Sequence, residues 1–96
     1  MTVTERTTEA QTLEIVCATL ARLPGVRTRA LRPECLLLDE VGLDSLQFVD
    51  LTVGLERALR VARFPMQQWV DECFELDRPL TVGALAVACQ AVLDEH

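Results

Sequence analysis

The sequence predicts an all-α fold: one domain of four helices, the third short, packed as a bundle. Three observations carry that reading. Apolar residues recur at three- and four-residue spacing in four separate stretches, the mark of a helix with one buried stripe. Pro24-Gly25, Phe64-Pro65 and Pro79 punctuate the chain between them. Two residues, Asp44 and Thr81, stand where a helix N-cap is needed, each just before such a stripe. Half of the 96 residues are apolar, enough for a core without metals or crosslinks. The hand of the bundle stays open at this level.

Residues 1–7 are polar and rich in Thr and read as a frayed end. The first helix runs to about Leu23, with Leu13, Val16, Cys17 and Leu20 on one stripe, and Pro24-Gly25 stops it. Residues 24–43 form a long connection, and connections of that length in small domains often serve function. Arg27, Arg29 and Arg32 lie within it and read as a solvated cluster, with a binding role as the rarer alternative. Cys35-Leu36-Leu37-Leu38 reads as a loop anchored on the core, since no partner strand is in view. A single helical turn after Pro33 is the other option.

The second helix starts at Ser45 and runs to Leu59. The Asp44 carboxylate accepts from first-turn N–H groups, and Gln47 reaches back to complete a capping box. Leu43 and Phe48 form a hydrophobic staple across the cap. Phe48, Leu51, Leu55 and Leu59 share the face expected to meet the core. Leu46, Val49 and Val53 form a second stripe, with Asp50 and Glu56 among them. That stripe is either buried too, in a central helix, or an acid-rimmed docking face. Gly54 costs the helix about 1 kcal/mol against Ala. It is expected to admit a close neighbour, or else to serve as a small residue of the docking face.

A short basic connection, Arg60 to Arg63, leads to Pro65, suited to a first helical position. The third helix runs from Met66 to about Phe74, with Met66, Trp69, Val70 and Cys73 on one side. Trp69 is expected at the core or its edge, with a place beside bound cargo as the alternative. Thr81 caps the last helix, stapled by Leu80 and Leu85, and Leu85, Ala88, Cys89 and Val92 carry its stripe.

Ser45 presents a hydroxyl beside unpaired N–H groups and the positive end of a helix dipole, a place that suits a phosphate ester. Val41-Gly42-Leu43-Asp44-Ser45-Leu46, followed by Asp50-Leu51 and Leu55-Glu56, resembles the signature of acyl carrier proteins. Thr81-Val82-Gly83 resembles that family as well, and the likeness covers roughly residues 34–93. The third helix departs from the commonest carrier pattern, in which it is shorter and more acidic. The resemblance implies a 4′-phosphopantetheine arm on Ser45, taken from coenzyme A and set in place by a phosphopantetheinyl transferase, with Asp44 beside it. It implies docking of ketosynthases, acyltransferases or acyl or aminoacyl ligases at Leu46, Val49, Asp50, Val53 and Glu56. The expected function is a stand-alone acyl carrier for polyketide or fatty-acid-like biosynthesis. A peptidyl carrier of nonribosomal peptide assembly is the near alternative, although Gly42-Leu43-Asp44-Ser45 leans to the acyl side. The alternative of another class is an unmodified helical adaptor using Leu46, Val49 and Val53.

Charge and composition narrow the classes. The net charge of −6 speaks against a nucleic-acid partner, which needs a basic face. Residues 1–33 hold five Arg against three Glu, a net +2, while residues 34–96 hold four Arg against twelve acids, a net −8. The acidic part contains Ser45 and suits partners with basic patches. The only histidine is His96, so no Ser-His or Cys-His catalytic pair is expected, and the chain reads as no enzyme. Cys17, Cys35, Cys73 and Cys89 lack metal-site spacing, and Cys17, Cys73 and Cys89, set among apolar residues in helical patterns, read as small buried hydrophobes. No apolar run reaches membrane-spanning length and no signal-peptide pattern opens the chain, so a cytoplasmic protein is expected.

Overall fold

The computed structural model describes residues 8–26 and 31–95. The expectations for residues 1–7, for Arg27 and Arg29 and for His96 lie outside the described residues. The described chain forms α1 (Glu9–Ala21), α2 (Ser45–Leu59), α3 (Met66–Glu75) and α4 (Val82–Asp94). This is an all-α bundle with a short third helix, as the apolar periodicity predicts.

Each helix begins and ends for a local reason. At α1, Thr8 accepts from the Gln11 N–H at 3.2 Å and Gln11 Oε1 accepts from the Thr8 N–H at 2.8 Å, a capping box the sequence reading leaves out. Helix α2 ends on Arg60 at φ 58°, and the Val61 N–H returns to the Glu56 carbonyl at 3.1 Å. Helix α3 ends the same way, with Asp77 at φ 54° and the Arg78 N–H bonded to the Cys73 carbonyl at 2.8 Å. Both are Schellman turns, here closed by residues other than Gly. Pro65 lies one position earlier than predicted: it precedes α3 as its cap, and Met66 opens the helix. Thr81 Oγ1 accepts from the Ala84 N–H at 3.0 Å and caps α4.

Helix α1 packs between α2 and α4. Val16 and Leu20 of α1, Leu51 and Leu55 of α2, and Val82, Leu85 and Cys89 of α4 are fully buried. Each aliphatic side chain among them contributes roughly 1.5–3 kcal/mol of transfer free energy. Two threonines join them unpredicted. Thr12 is buried because its hydroxyl donates to Gln90 Oε1 at 2.7 Å, linking α1 to α4. Thr19 is buried with its hydroxyl on the Ile15 carbonyl at 2.7 Å. Gly54 faces Thr19: a Cβ there would stand 2.7 Å from Thr19 Cγ2. The close-neighbour reading of that glycine is the one the packing supports.

The long connection is held by backbone bonds to the start of α4. Leu37 N–H donates to the Leu80 carbonyl at 2.8 Å, Val82 N–H to Cys35 at 3.0 Å, and Gly83 N–H to Pro33 at 2.8 Å. Leu36 and Thr81 thereby form a single antiparallel bridge. The loop reading of residues 35–38 stands, but the loop does find an extended partner, in the residues just before α4. Cys35, Leu37, Val41 and Leu43 anchor it in the core. Cys73 and Cys89 are buried too, and burial pushes the Cys89 thiol up to about 12.

Candidate functional site

The site grows from the turn before α2. Gly42 at φ 80° takes a left-handed conformation that glycine adopts without strain, and it turns the chain toward the helix. The Leu43 N–H bonds the Leu37 carbonyl at 3.0 Å, which fixes the approach. Asp44 Oδ1 accepts from the Gln47 N–H at 2.8 Å, and Gln47 Oε1 accepts from the Asp44 N–H at 3.0 Å. The predicted capping box is present, and Leu43 is buried on one side of it with Phe48 half-buried on the other. Gln47 has a second role that sequence spacing does not reveal: its Nε2 donates to the Pro24 carbonyl at 2.7 Å. One side chain thus ties the cap to the end of α1.

Ser45 is the first residue of α2 and is exposed. Asp44 satisfies the N–H groups of Gln47 and Phe48, so those of Ser45 and Leu46 remain beside the hydroxyl. The Asp44 carboxylate is committed to the cap, and the sole histidine is the last residue. A hydroxyl so placed is reachable from outside.

An open groove of about 540 Å³ starts at Ser45 and runs between α2 and α3. Phe48, Val49 and Val53 line one side, and Met66, Val70 and Phe74 the other. Trp69 is half-buried and packs on the core instead of lining this groove, in keeping with its expected place at the core edge. Phe74 is the groove residue the sequence reading misses. Its signal was present, since Met66, Val70 and Phe74 follow four-residue spacing.

The second stripe of α2 is open to solvent. Leu46 is 71% exposed, Val49 58% and Val53 43%, while Leu51 and Leu55 are 0% exposed. Burial of both stripes, one of the two alternatives, does not occur. Asp50 is exposed and faces the α1 side, in a shallow groove with Arg22 and Arg57. Glu56 departs from expectation. It is half-buried, and its Oε2 accepts from the Phe64 N–H at 2.8 Å, holding the α2–α3 connection against the helix. A carboxylate bound to that N–H gives up part of its freedom to meet a partner.

Among the described residues no group of three or more His, Cys, Asp or Glu side chains is placed to hold a metal ion. No helix among them is long and apolar enough to cross a membrane.

No protein-family model matches the sequence, and no solved structure matches it. Curated proteins do. The chain is 27% identical over 66 residues to the acyl carrier protein AcpXL of Brucella melitensis, covering 69% of this chain and 70% of that one. The same figures hold for AcpXL of Brucella suis. AcpXL of Rhizobium meliloti is 27% identical over 64 residues, 67% of this chain and 66% of its own. All three are named acyl carrier proteins. The chain is thus similar to proteins named acyl carrier proteins over about two thirds of its length, and its described residues form four helices.

Proposed function

We propose that the chain is a stand-alone acyl carrier that holds acyl intermediates as thioesters on a 4′-phosphopantetheine arm at Ser45. The observation that carries this reading is the exposed Ser45 hydroxyl at the head of an apolar groove. The surroundings fit the group. The helix N-terminus favours a phosphodiester, and the groove offers apolar walls to whatever extends from it. When bound, the arm supplies a flexible thiol for acyl transfer. The chain's own residues do the rest. Asp44 and Gln47 fix the first turn that carries Ser45, and Leu46, Val49 and Val53 offer an uncovered strip on the same helix.

The setting we infer is polyketide or fatty-acid-like biosynthesis in the cytoplasm. The partners are a phosphopantetheinyl transferase and then ketosynthases, acyltransferases or ligases. Their basic patches would meet Asp50 and the surplus of acids in residues 34–96. The peptidyl alternative has less support, because the similar proteins are named acyl carriers.

The test is loading. Protein co-expressed with a phosphopantetheinyl transferase is incubated with an acyl-activating ligase, a fatty acid and ATP. One acyl mass should be added per chain, and neutral hydroxylamine should release it as a thioester. Acyl mass that resists hydroxylamine, or uptake of amino acids in preference to fatty acids, would contradict the acyl-carrier reading.

A further inference from the structure

The groove at Ser45 continues past α3. At Leu38 and Phe74 it meets a smaller cleft of about 350 Å³, whose lining includes Asp39, Asp77 and Arg78. Leu38, Phe74 and Leu80 line both. At this junction Phe74 is 63% exposed and Leu38 45%, with Leu76 nearby in sequence at 58%. An aromatic ring carries 150–250 Å² of apolar surface, so Phe74 leaves a large apolar area in water next to the modification site.

That exposure follows from how α3 ends. Cys73 takes the core position and is buried, which turns its neighbour Phe74 outward. The Schellman turn then fixes this end of the helix: Arg78 N–H reaches the Cys73 carbonyl and Asp77 N–H the Phe74 carbonyl at 3.3 Å. A backbone pinned in this way is ordered before any partner arrives, which lowers the ordering cost of binding. Scattered exposed apolar residues are ordinary on proteins. Two that share a cleft, adjoin the working groove and sit on a fixed turn are better placed to bind. The charges indicate the binder. Asp39 and Asp77 outnumber Arg78 in the cleft, and Asp71, Glu72 and Glu75 lie on exposed α3 positions beside it.

We propose that the Leu38–Phe74 patch is a second foothold for the enzyme that modifies Ser45, separate from the outer stripe of α2. The element that enters it is an apolar side chain flanked by Arg or Lys. This rests on the carrier reading above. The enzyme would straddle the Ser45 groove, with one contact on α2 and one on the junction of the long loop with α3. Cargo is the competing occupant, and the unmodified chain removes it from consideration, because it carries none.

The experiment measures kcat/KM for phosphopantetheine transfer from coenzyme A to the unmodified protein, alongside thermal melts. Phe74→Ser and Leu38→Ser should each lower kcat/KM by about tenfold, the loss typical of one interface anchor, mainly through KM. Asp39→Asn with Asp77→Asn should lower the rate at low salt and flatten its salt dependence. Asn tolerates the left-handed conformation at position 77. Melting points should stay near that of the wild type, because these side chains are exposed. If Phe74→Ser does lower the melting point, Leu38→Ser and the paired Asn variant carry the test. Rates within about twofold of wild type in all variants, or an effect confined to the stability of the acylated form, would overturn the foothold. Wild-type protein that takes up no phosphopantetheine at all would instead overturn the reading on which it rests.

Discussion

At Ser45 the chemistry is set by its neighbours. The oxygen is presentable because Asp44 and Gln47 satisfy each other's backbone N–H groups and hold the first turn. Such a box is a local device, so it was legible in the sequence from four adjacent residues. What was not legible is the reach of single side chains across the fold. Gln47 also binds the Pro24 carbonyl, 23 positions away, and Glu56 binds the Phe64 N–H. Neither partner is implied by helical spacing, and each depends on where a connection returns. Asp44→Ala is expected to cost about 1 kcal/mol, read as a lower midpoint in urea. Its rate of Ser45 modification, measured separately, should fall only as far as the first turn frays.

At the scale of elements, α2 is the helix with two jobs. Its inner stripe closes the core and its outer stripe stays wet, a difference the periodicity could place but not decide. The decision came from tertiary packing. Helices α1 and α4 cover one side of the molecule, whereas the groove toward α3 stays open over Val49 and Val53. The long loop was harder still, because its structure comes from bonds to residues 80–83, far along the chain. A direct comparison separates the two stripes. Leu55→Asp buries a charge at a fully enclosed position and should unfold the protein or cost several kcal/mol. Val53→Asp should cost less than about 1 kcal/mol, since the site is 43% exposed, yet it should slow transfer to Ser45. Matched thermal melts and transferase kinetics check both. Glu56 is a poor choice for such charge reversal, because Lys there would also release the α2–α3 connection.

At the scale of the molecule, a buried core supports a chain whose acids concentrate in residues 34–96. Cys73 and Cys89 belong to that core, as their apolar sequence context predicts, and Cys35 joins them, whereas Cys17 is only half-buried against it. Cys89 ties its burial to pH. Its thiol titrates at about 12 in the folded chain against an ordinary 9.0. Below pH 9.0 both states keep the proton and this group adds no pH dependence. Above it the unfolded thiol loses its proton first. Stability should therefore fall by up to about 1.4 kcal/mol per pH unit until the folded thiol also titrates. Urea midpoints measured from pH 8 to 11 should show that decline, and Cys89→Ala should flatten it while lowering the plateau. The central claim concerns Ser45, and intact mass tests it most directly. Wild-type protein co-expressed with a phosphopantetheinyl transferase should gain the mass of one phosphopantetheine, and Ser45→Ala, folded by its melt, should gain none. An arm found on Ser45→Ala, or a wild-type chain that stays unmodified, would contradict the account.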